Sequence, residues 1–66
     1  MESITYTDGN KIYTCEFGNR SIEIIFYGDT DKKMVEGEFI GNPYEKSIIR
    51  TYYQSGQQKS YVVREN

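Results

Sequence analysis

The 66-residue chain carries ten acidic against eight basic side chains for a net charge of −2, has one cysteine, one proline, no histidine and no tryptophan, and contains neither leucine nor alanine. Isoleucine, valine, threonine, tyrosine and phenylalanine fill 26 positions, so the best helix formers are missing, the best strand formers dominate, and composition predicts an all-β fold. This length allows one small domain over 1–66, leaves little room for a core and a deep catalytic pocket together, and holds no apolar run near the roughly 20 residues of a membrane span.

Glu2–Thr7 alternates Ile4 and Tyr6 with serine and threonine, the period of a strand. Asp8-Gly9 predicts a hairpin turn, and Lys11–Phe17 follows with Tyr13, Cys15 and Phe17 in register. Gly18-Asn19 is the next turn, in the less usual order. Ser21–Tyr27 has Ile22, Ile24 and Phe26 on one face and Ile25 and Tyr27 on the other, which predicts a central strand. The polar run from Gly28 to Lys33 is a loop, and Met34–Ile40 continues with Val35 and Phe39 expected inward and Glu36 and Glu38 outward.

The segment 43–55 admits two readings. Asn42, Pro43 and Glu45 resemble an N-cap, a first-turn proline and a capping-box glutamate, and Tyr44, Ile48 and Tyr52 are spaced by four, as on one face of a short helix. Ile48-Ile49-Arg50-Thr51-Tyr52-Tyr53 is better suited to a strand, and the strand is preferred. Gln54-Ser55-Gly56-Gln57 then turns the chain into Lys59–Arg64. The expectation is an antiparallel meander of about six strands, as a single sheet or a small barrel.

Three segments, Tyr6–Asn19, Tyr27–Asn42 and Tyr53–Asn66, each open on tyrosine, pass a polar turn, reach a lysine and an apolar strand, and close on asparagine. Tyr52-Tyr53-Gln54-Ser55-Gly56-Gln57-Gln58-Lys59 resembles the hairpin of the variant MORN repeat, found in bacterial proteins of the toxin–antitoxin-associated kind, and Val35-Glu36-Gly37-Glu38-Phe39 is a looser echo. The middle copy departs from the pattern, with Asp31 where the turn glycine would stand. The resemblance implies stacked β-hairpins in one sheet and a binding or antitoxin-like role rather than catalysis.

Without histidine the commonest general base is missing, and Cys15 has no histidine to pair with. Cys15 reads as a small apolar residue buried in a strand. Asp29 and Asp31 are spaced like the start of a calcium loop whose sixth-place glycine and closing glutamate are absent. The six glycines are spread one per turn or bulge, without a phosphate-cradling cluster. We expect no enzyme, no cofactor and no metal. The N-terminus lacks a basic region followed by an apolar stretch, and one cysteine makes no internal disulfide, so a cytoplasmic protein with a reduced thiol is expected.

Charge is unevenly placed. Residues 1–45 hold nine acids against four bases, a net of −5, and residues 46–66 hold four bases against Glu65, a net of +3. Tyrosine, with seven copies, is in excess; some copies are expected in the core, and of the neighbours Tyr52 and Tyr53 at least one is expected outside it. The candidate binding residues are Arg50, Tyr52, Tyr53, Lys59, Tyr61 and Arg64, since exposed tyrosine beside arginine is the composition of an interface hot spot. The leading expectation is a protein-binding module, an inhibitor or antitoxin-like protein, whose partner is another protein or a second copy in a homodimer. The alternative is a small β-barrel that stacks single-stranded nucleic acid on the same hairpin.

Overall fold

The computed structural model describes residues 1–41 and 45–65. Its elements are β1 (Glu2–Thr7), β2 (Asn10–Phe17), β3 (Arg20–Phe26), β4 (Lys33–Ile40), β5 (Lys46–Tyr52) and β6 (Gln58–Glu65). Every consecutive pair is antiparallel, and sheet order repeats chain order from β1 to β6. The meander is therefore one open sheet rather than a closed barrel, with no helix among the described residues. Of the two readings of 43–55, the strand holds: Ile48, Ile49 and Thr51 lie in β5, where β-branched side chains are least restricted. Asn42, Pro43 and Tyr44, half of the case for a helix, lie outside the described residues.

The turns follow from residue chemistry. Asp8 and Gly9 both have positive φ, 54° and 81°, and Thr7 pairs with Asn10 across them, as in a type I′ hairpin turn. Gly18 has a φ of 61° and Asn19 is not positive, so glycine in the first central place suits a II′-like turn, which accounts for the reversed order Gly-Asn. The β3–β4 loop is tied back to the first hairpin. The Lys11 amide donates to the Gly28 carbonyl at 2.8 Å, and the Gly28 amide donates to Asn10 Oδ1 at 2.9 Å.

Two irregularities interrupt the ladder. Ile25 pairs with Val35 but Phe26 with Lys33, and Thr51 pairs with Ser60 but Tyr52 with Gln58, so Met34 and Lys59 are extra residues at bulges. Elsewhere the register defines two faces, because residues directly opposite share a side. One, the tyrosine face, carries the rows Ile4–Tyr13–Ile24–Glu36–Arg50–Tyr61 and Glu2–Cys15–Ile22–Glu38–Ile48–Val63. The other, the hydroxyl face, carries Thr5–Ile12–Ile25–Val35–Thr51–Ser60, Ser3–Thr14–Glu23–Gly37–Ile49–Val62, and Glu16–Ser21–Phe39–Ser47–Arg64.

Neither face is covered by the described residues. Among the described residues no apolar side chain is fully buried, and Gly37 and Gly41 alone are classed as buried. Several expectations are corrected by this. Cys15 is half-buried rather than buried. No described tyrosine sits in a core. Glu36 and Glu38, expected on the side away from the apolar residues, stand in the rows of Ile24 and Ile22. The alternation of β4 was correct, but it has no inside to point to. The accessible surface is 4818 Å², roughly 500 Å² above what a compact protein of this mass exposes. A radius of gyration of 12.3 Å likewise exceeds the roughly 11 Å of a compact chain.

The first turn gives a clean test of its backbone chemistry, since a side chain at Gly9 would meet no atom within 4 Å. Gly9→Val should destabilise the fold by about 1–2 kcal/mol through its positive φ alone. Urea unfolding should show a lower midpoint with an unchanged slope.

Candidate binding surface

The tyrosine face is built by alternation from all six strands. Five of the most exposed large apolar residues belong to it: Ile4, Tyr6, Phe17, Tyr61 and Val63, with Ile4 and Tyr6 at 59% and Tyr61 at 52%. Its β1–β3 half is an apolar plate in which Ile4, Tyr13 and Ile24 adjoin Ile22 and Cys15. Its β4–β6 half mixes charge with aromatic rings. Arg50 faces Tyr61 across the β5–β6 ladder, its guanidinium 5.1 Å from the ring centroid. The Tyr52 hydroxyl donates to Glu36 Oε1 at 3.1 Å, and Lys33 pairs with Glu36 at 3.3 Å.

Most charges of this face are already neutralised within the chain. Arg20 pairs with Glu38 at 3.5 Å and Lys46 with Glu65 at 3.8 Å. Lys11 pairs with Asp31 at 3.4 Å and lies over the Phe26 ring at 4.7 Å, while the Tyr6 hydroxyl donates to Asp29 at 3.2 Å. The two loop aspartates with calcium-loop spacing thus pin the corner of the sheet. Among the described residues no cluster of three or more metal-ligating side chains occurs. An open depression of about 310 Å³ lies between Asp31, Lys32, Lys33, Tyr52 and Gly56.

The six candidate residues are not all brought together. Arg50, Tyr52 and Tyr61 lie on the tyrosine face around Glu36. Tyr53 falls beyond the end of β5, in the turn, where its amide donates to the Gln57 carbonyl and Lys59 stands 5.7 Å over its ring. It therefore does not alternate with Tyr52 in a strand as expected. Arg64 is on the hydroxyl face, opposite Ser47. The candidate list omitted Ile4, Tyr13, Ile24 and Glu36, which complete the row of Arg50 and Tyr61. For Ile4, Tyr13 and Ile24 the signal was the register of the first two hairpins, fixed by the two-residue turns Asp8-Gly9 and Gly18-Asn19.

Two phenols on this face are held neutral. Partial desolvation, reinforced by Glu2 and Cys15 beside it, pushes Tyr13 up to about 12. Desolvation and the Glu36 carboxylate also raise Tyr52. Both remain hydrogen-bond donors at neutral pH, the form in which a tyrosine contributes a polar handle to an interface.

Compared with protein-family models, with curated proteins and with solved structures, the chain gives no match.

The raised phenols set an alkaline limit. A neutral phenol favoured by the fold supports it fully below the unfolded value of 10 and loses that support as pH climbs from 10 towards about 12. Denaturant midpoints of the parent should fall over that window, and Tyr13→Phe should flatten the fall. An equally steep fall in the variant would remove Tyr13 as its source.

Proposed function

We propose that the chain is a non-enzymatic protein-binding module, acting as an inhibitor or antitoxin-like protein does, by occluding a partner's surface with its tyrosine face. The observation that carries this reading is the unbroken row Ile4–Tyr13–Ile24–Glu36–Arg50–Tyr61, which crosses the whole sheet with its end residues exposed. Tyrosines supply large amphipathic contacts at low entropy cost, and arginine over a ring is a preorganised hot-spot pair. Charges paired within the chain are ready to be covered, since neither member is left alone on desolvation. The resemblance to variant MORN hairpins supports the same reading.

A second reading has its own observation. Arg50 over Tyr61 and Lys59 over Tyr53 put two cation–ring pairs on the basic β5–β6 hairpin, the chemistry that stacks bases beside phosphates. Glu36 and Glu38 on the neighbouring strand oppose a polyanion, and protein binding is therefore preferred.

The test is a tagged pull-down from host lysate with and without nuclease, followed by titration of the captured partner with variants. A protein retained after digestion should bind Tyr61→Ala, Tyr52→Ala and Arg50→Ala more weakly, by about 2 kcal/mol or roughly 30-fold for at least one. Their far-ultraviolet circular dichroism should be unchanged. Full affinity in all three would discard this face, and a steep log-linear loss with salt would favour nucleic acid.

A further inference from the structure

The hydroxyl face lies opposite the proposed partner surface and has the anatomy of an interface. Ile12, Ile25, Val35, Phe39, Ile49 and Val62 form an apolar centre. Around them runs a rim of serines and threonines, two pairs of which already hydrogen-bond to each other: Ser3 with Thr14, and Thr51 with Ser60. Gly37 keeps the centre low. An added Cβ there would stand 3.1 Å from the Phe39 ring, which lies across the vacant position.

Charges on this face differ from those on the other. Glu16, Glu23 and Arg64 make no ion pair among the described residues, whereas the tyrosine face pairs most of its own. Their places are specific. Glu16 on β2 and Arg64 on β6 belong to one row, Glu16–Ser21–Phe39–Ser47–Arg64, and each stands two strands from β4. A two-fold axis along β4, between two sheets stacked face to face, carries β6 of one copy over β2 of the other while keeping rows aligned. Arg64 of each copy then meets Glu16 of the other, twice per dimer, with Glu23 in the adjoining row. The usual turn of about 30° between stacked sheets shifts the pair by only about 5 Å, which the two long side chains span. The same axis lays β2 over β6, β3 over β5 and β4 over its own copy, and leaves β1 beyond the overlap.

The geometry points to a homodimer in which a second copy of this chain covers the hydroxyl face, its register set by reciprocal Arg64–Glu16 ion pairs. The area fits. A face 31 Å by 26 Å spans about 800 Å², of which the five overlapping strands cover roughly 670 Å², close to the about 800 Å² that each partner usually contributes to a stable interface. The arrangement leaves both tyrosine faces outward, so it is independent of what they bind.

Sedimentation or light scattering across a concentration series tests it, with Arg64→Glu and Glu16→Arg made separately. The parent should weigh twice the 7.7 kDa chain. Each variant alone places like charges together at two sites and should weaken the dimer roughly tenfold or more. An equimolar mixture of R64E and E16R restores opposite charges at both sites and should recover parent affinity as a heterodimer. A parent that stays at 7.7 kDa at every concentration assigns the face to another occupant and overturns the proposal. So does a dimer indifferent to both substitutions, or a mixture no tighter than its components.

Discussion

Everything in this structure depends on cross-strand pairing within a single layer. A sheet usually places one face on a second layer, and the hydrophobic contribution to stability comes from that contact. Here the described residues offer no second layer, and order rests on five antiparallel ladders, the turns between them and contacts along each face. The ion pairs add little on their own, since most are well exposed and such pairs are worth about 0–1 kcal/mol. Asp31 is fully exposed even while holding Lys11. Among the described residues, apolar area that elsewhere would make a core remains at the surface.

Meander topology gives this constraint a direction. Because sheet order equals chain order, the change from net −5 over residues 1–45 to net +3 over residues 46–66 becomes a lateral gradient across the molecule. The two faces then divide the chemistry. One carries tyrosines, exposed isoleucine and charges largely neutralised in place. The other carries a low apolar centre, a hydroxyl rim and three charges without an ion pair among the described residues, of which Glu16 and Arg64 meet under the proposed two-fold axis. A surface that satisfies its own charges is prepared for a partner of different composition, whereas one whose unpaired charges complement each other is suited to itself.

Strands and turns were legible in the sequence because each rests on local chemistry. Alternation in Glu2–Thr7, the Asp8-Gly9 turn and the β-branched run at Ile48–Thr51 needed no tertiary information. Which residues would be inside was not legible. The rule that apolar residues point inward presumes a covered face, and β3, apolar on both sides, appears the same whether buried twice or not at all. The candidate site was legible in part. Parity alone separates Arg64 from Tyr61, three residues apart on β6, and would have removed it from the cluster. The bulge at Lys59 and the early end of β5 before Tyr53 depend on how the last hairpin closes, and no residue type announces them.

In the proposed dimer folding and association are one equilibrium, because a sheet with no core among its described residues would gain apolar contact from the second copy. The most direct measurement is the thermal unfolding midpoint of the pure chain over a hundredfold or wider range of concentration. The midpoint should climb steadily with concentration, in parallel for R64E but displaced to lower temperature. A sharp transition at the same temperature throughout would mean that the single sheet is stable by itself, and would contradict the claim that its hydroxyl face is completed by a copy of the same chain.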